Sequence, residues 1–158
     1  MSQTLLALVA LMVAMQISMV QQRSVLNARL SMVSSEMETV ATGAGLDILD
    51  YIGSKAFDAA TATQTITDPA NLTSLPFATG GLYTDALDID DFNGIQPYVY
   101  STDVDGIDFV VQIEVNYVDE GNLTESVLTP TFSKSVTVTL NQTSLEQPVQ
   151  LTRVFSYP

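Results

Sequence analysis

Apolar residues fill positions 5–20 almost without a break, LLALVALMVAMQISMV, with no proline or glycine, and a helical pattern continues to about residue 57. Past that run, Leu26, Leu30, Val33, Met37, Val40 or Ala41, Ala44, Ile48, Ile52 and Ala56 recur at three- and four-residue spacings, which puts them on one stripe of a helix. Asn27, Ser31, Ser34, Ser35, Glu38, Asp50 and Ser54 fill much of the remainder. The pattern predicts one helix, roughly 85 Å long at 1.5 Å per residue, apolar all round in its first half and amphipathic in its second. Gly43, Gly45 and Gly53 fall inside it. Each costs about 1 kcal/mol relative to alanine, so Gly43 and Gly45 mark either a bend or a close helix contact.

The helical signal fades after Ala60, where β-branched residues and then Pro69 appear. Residues 61–94 read as connection, punctuated by Pro69, Asn71, Pro76, Gly80 and Gly81, with Leu75, Phe77, Leu82, Tyr83, Leu87, Ile89 and Phe92 as anchors to a core. Alternation then takes over. Phe109, Val111, Ile113, Val115 and Tyr117 point one way, and Asp108, Gln112, Glu114 and Asn116 the other. Val136, Val138 and Leu140 share one face of a second strand, and 95–101 and 151–157 supply two more. The predicted fold class is α+β, a long N-terminal helix packed on a small antiparallel β-meander. Its predicted parts are a protruding apolar helix, 1–24, and a head, 25–158. The head comprises an amphipathic helix 25–60, an αβ loop 61–94 and the meander 95–158.

Charge narrows the function. The chain carries 18 acidic and 5 basic residues, net −13, and no acid precedes Glu36, so most of the negative charge belongs to the head. A nucleic-acid partner would require the opposite sign. Cysteine, histidine and tryptophan are absent. That removes disulfides, thiolate metal sites and the usual general base at neutral pH. Lys55 and Lys134 sit in no recognisable nucleophile motif, and no glycine-rich phosphate loop follows a strand. The reading is a protein that is not an enzyme and carries no cofactor, with calcium as the one candidate ion.

That candidate rests on Asp103, Asp105 and Asp108 within DVDGIDF. Calcium favours several oxygens on a tight turn, but Asp-Gly is also a strong hairpin turn, and the distal glutamate of a full EF-hand loop is missing. Asn71–Leu72–Thr73, Asn122–Leu123–Thr124 and Asn141–Gln142–Thr143 match the N-glycosylation pattern. The alternative is that these are ordinary turn residues.

The N-terminal run has three readings: a secretory signal, a permanent membrane span, or a segment that visits a membrane and then packs against copies of itself. Sixteen helical residues reach only about 24 Å, short of the usual span of about 20 residues. A cleaved signal would also have no reason to be in phase with the stripe beyond it. The third reading accounts for both facts.

An apolar helix continuing into an amphipathic half, then an αβ loop and a meander, resembles the type IV pilin and pseudopilin superfamily. DIDDFNG at 88–94 and DGIDFVVQIEVNYVDE followed by SKSVTVTL are similar to heads of bacterial pilin-like proteins. The resemblance spans the chain in layout. It implies a structural subunit stored in the membrane, extracted by filament assembly machinery and built into an extracellular homopolymer with its helices in the core. Leu5, Leu6, Leu8, Val9, Leu11, Val13, Ile17 and Val20 would carry polymerisation and membrane insertion. Arg23 and Arg29 would meet Glu36 and Glu38 of adjacent copies. Family members carry glutamate at the fifth mature position, where this chain has Leu5. The alternatives are a minor pseudopilin of a secretion or uptake machine, or a membrane-anchored surface module binding calcium or glycan.

Overall fold

In the computed structural model the described residues are 2–102 and 106–158, and of residues 2 and 4–6 only the backbone is described. Helix α1 runs unbroken over Ser2–Gly53, so neither Gly43 nor Gly45 interrupts it. By internal contacts the chain forms two compact units, Met1–Met37 and Glu38–Pro158.

In the second unit, Ala41, Ala44, Ile48, Leu49 and Ile52 are buried against the sheet. These positions cover about 17 Å of helix. The stripe read from sequence extends further toward the N-terminus, but Leu26, Leu30 and Val33 are exposed. On this stripe burial therefore begins with half-buried Met37 and is complete only at Ala41. The helix also stops earlier than residue 60. Ala56 is drawn into a bridge with Asp88, its carbonyl accepting from Ile89 N at 3.0 Å. The Phe57 carbonyl accepts from Lys134 Nζ at 2.8 Å. Those carbonyls are committed to partners outside a helix, which ends it.

The sheet is antiparallel, in the order β1 (Tyr98–Ser101), β2 (Asp108–Asp119), β4 (Ser133–Asn141), β5 (Val149–Ser156), with β3 (Asn122–Val127) pairing only with the end of β2. Phe109, Val111, Ile113, Val115 and Tyr117 are all buried, as their alternation predicts, and Val136, Val138 and Leu140 continue that layer from β4. Strand β3 is a departure from the four-strand meander. Asn122–Val127 has no buried position, so it offers no apolar face for a pattern to reveal. The hairpin is set instead by Asp119 Oδ1, which accepts from Gly121 N at 2.8 Å and Asn122 N at 2.9 Å.

The long connection packs as ordered loop. Phe57, Ile66, Leu72, Phe77, Ala86, Ile89, Phe92 and Ile95 are buried. Tyr83 stacks between Tyr51 of α1, 5.2 Å away, and Tyr98 of β1, 4.3 Å away. Leu82 and Leu87, expected as anchors, are exposed, Leu87 by 79%.

Candidate functional site

Two features stand out, one on each unit. On α1, Leu8, Val9, Leu11, Met12, Val13, Met15, Ile17, Met19, Val20, Val25, Leu26, Leu30, Met32 and Val33 are exposed, from 49% at Val33 to 70% at Leu30. A helix satisfies its own backbone, so such a segment can enter a bilayer. Near its N-terminus α1 is long and apolar enough to cross a membrane. Leu8, Val9, Leu11, Val13, Ile17 and Val20 belong to this surface, and the backbones of Leu5 and Leu6 lie in the same helix. Arg23, Arg29, Glu36 and Glu38 are exposed on α1, and among the described residues none makes an ion pair within the chain.

Of the candidate calcium ligands, Asp103 and Asp105 lie outside the described residues. Asp108 opens β2 and accepts from Ser101 Oγ at 2.5 Å. Among the described residues no acidic cluster has the arrangement of a metal site. Asn71, Asn122 and Asn141 are exposed. Asn71 lies in a short 3-10 turn, Pro69–Asn71, whereas Asn122 begins β3 and Asn141 ends β4, so two of the three lie at strand ends and not in loops.

The second feature was not singled out by sequence. Lys134 is fully buried, at 0% exposure, on the inward face of β4, where it pairs with Tyr117 in register. Its ammonium lies 3.3 Å from Asp58 Oδ2 and 2.5 Å from Asp90 Oδ1, and these carboxylates are themselves only 1% and 7% exposed. Rings close over it: the Phe57, Tyr117 and Phe77 centroids lie 4.3, 5.1 and 5.5 Å from Nζ. Tyr117 is held in turn by donating its hydroxyl to the Thr73 carbonyl at 2.8 Å. The signal was parity: in SKSVTVTL, Lys134 occupies the same alternate position as Val136, Val138 and Leu140.

The two carboxylates differ in support. Asp58 Oδ1 accepts from Ala60 N at 2.9 Å, and Oδ2 from Thr73 N at 2.8 Å. Burial pushes Asp58 up, but those amides and the Lys134 charge outweigh it and hold the carboxyl below the usual range. Neither oxygen of Asp90 receives a hydrogen bond from the backbone, and Oδ1 is in contact with the Lys134 ammonium. Burial pushes Asp90 up to about 7, against the opposing pull of Lys134. Burial likewise raises Asp88, whose Oδ1 accepts from Asp90 N at 2.9 Å and so shapes the turn that presents Asp90. Burial, reinforced by the neighbouring carboxylates, raises the Tyr117 hydroxyl as well.

Comparison with protein-family models, with curated proteins and with solved structures returned no match.

Proposed function

We propose that the chain is the structural subunit of a pilus-like extracellular filament of the type IV pilin kind, inserted in a membrane before assembly and polymerised through α1. The observation that carries this reading is the exposed apolar surface of α1, which continues from Leu8 to Val33, past the roughly 20 residues that one bilayer crossing needs. Leu26, Leu30, Met32 and Val33 are apolar and uncovered in the monomer, and packed copies of the same helix would bury them.

The energetics favour transfer from lipid to bundle for reasons other than hydrophobicity. Lipid is already apolar, so Leu8, Val9, Leu11, Val13 and Ile17 gain little by leaving it. Gln16, Ser18, Gln21 and Gln22 gain hydrogen-bond partners from neighbouring helices. Arg23 and Arg29 of one copy would neutralise Glu36 and Glu38 of another, which suits the lack of ion pairs for these four among the described residues. Repetition of one non-closing contact yields a fibre. The partners are then the chain itself, the membrane and the assembly machinery.

Replacing Leu8 and Val9 with aspartate tests the reading. Cells carrying the double variant should make a folded head and no filaments. Fibres of normal number and length in that variant would overturn it.

A further inference from the structure

We propose that Lys134 and Asp90 condense to an intramolecular amide, a covalent staple between strand β4 and the turn Asp90–Phe92, with Asp58 as the proton carrier. The staple concerns the interior of the head and stands independently of filament assembly.

Geometry supplies the reactants. The Lys134 amine and the Asp90 carboxyl are in contact at 2.5 Å, and both are buried. Groups held this way react with effective concentrations far above any attainable in solution. The Phe57, Phe77 and Tyr117 rings around Nζ exclude water, which otherwise favours hydrolysis of an amide over its formation. Asp90 lacks the backbone donors that would hold it as a carboxylate, and both its oxygens are buried. Asp58 has such donors on both oxygens and stays ionised beside Nζ. One acid is thus placed as electrophile and the other as base.

The step balances without any further reagent. A proton passes within the buried pair from Nζ to Asp90, leaving a neutral amine and a neutral acid. The Nζ lone pair attacks Asp90 Cγ and forms the N–C bond. Asp58 takes a proton from the nitrogen of the adduct and hands it to the departing hydroxyl as the C–O bond breaks. Water leaves, the carbonyl re-forms and Asp58 is again a carboxylate. Two buried charges disappear, and with them the cost of their desolvation; the charge left on Asp58 keeps the Ala60 and Thr73 amides as donors. The chain has no cysteine, so this amide would be its covalent cross-link.

Mass spectrometry of the full chain purified in detergent tests the proposal. The wild-type chain should weigh one water less than its sequence, and digestion should release a branched peptide joining Lys134 to Asp90. Lys134→Arg and Asp90→Ala should each restore the full mass. Asp58→Asn should restore it too while keeping the wild-type circular dichroism spectrum. A wild-type chain of full sequence mass with linear peptides only would overturn the proposal, with no variant required. A branch from Lys134 to Asp58 would overturn the assignment of electrophile and base, and water loss undiminished in Asp58→Asn would overturn the role given to Asp58.

Discussion

Gly45 presents bare backbone to Leu151: a Cβ added there would overlap the Leu151 side chain and lie 2.9 Å from Leu140 Cδ1. This close approach lets α1 lie against β4 and β5 in the middle of the buried layer. Gly53 plays the same part beneath Phe155, whose Cε1 would be 2.7 Å from a Cβ.

The two glycines of the GAG segment therefore predict opposite outcomes. Gly45→Val should destabilise the head by about 1–3 kcal/mol, the usual cost of overpacking. Gly43 has nothing within 4 Å of its would-be Cβ, so Gly43→Ala should stabilise by about 0.5–1 kcal/mol through helix propensity. Urea midpoints of the full chain in detergent check both, and equal shifts for the two would contradict the packing argument.

The ion pair between Asp50 and Arg153 joins α1 to β5 at 2.6 Å, but Asp50 is 68% exposed and Arg153 38%. Solvent screens such pairs, so Asp50→Ala should cost less than about 1 kcal/mol. A larger loss would mean that this contact, and not the apolar layer, holds the helix to the sheet.

Lys134→Met removes the group that both buried carboxyls share, as a cation or as an amide to Asp90, and stranding buried carboxyls in this way costs about 3–5 kcal/mol. The variant should also become sensitive to pH. Asp90 is already raised to about 7 by burial with Lys134 opposing, and without that opposition it rises further above its unfolded value of about 3.9. The folded state then binds the extra proton, so stability falls as pH increases from about 4 to beyond 7. Asp88, also raised by burial, adds to the same trend. Asp58 loses the Lys134 charge that helps to hold it low against burial, so its opposing contribution on the acid side shrinks. Urea midpoints at pH 5 and pH 8 should differ, with the lower at pH 8; a higher midpoint at pH 8 would contradict the assignment.

Much of the architecture was legible because it is periodic. Alternation in β2 named Phe109, Val111, Ile113, Val115 and Tyr117 as one buried layer, and spacing in α1 named Ala44, Ile48 and Ile52 and left Val40 or Ala41 open, of which Ala41 is the buried one. What escaped lacked a period or depended on distant chain. Asn122–Val127 has no apolar face, and the end of α1 is decided by bonds from Ile89 and Lys134 to carbonyls that sequence cannot place together. Leu26, Leu30 and Val33 keep the helical phase yet stay uncovered, since a stripe records phase and not the extent of its partner. The Lys134 cluster joins residues 58, 90 and 134 across the fold, so only the strand parity of the lysine hinted at it.

The charges on α1 give a further expectation under the filament reading. If Arg23 and Arg29 meet Glu36 and Glu38 across subunits, Arg29→Glu should reduce filament yield and Arg29→Glu combined with Glu36→Arg should restore part of it. Quantifying sheared fibres by electron microscopy checks this, and equal yield in wild type and the single variant would remove the pairing.

Cryo-electron microscopy of material sheared from cells that carry the chain tests the central claim most directly. The account predicts fibres whose core is a bundle of α1 helices, with Leu8 to Val33 buried between copies and the acidic heads outside. Finding the chain only in the membrane fraction as detergent-soluble monomers, with no fibres on the cells, would contradict it.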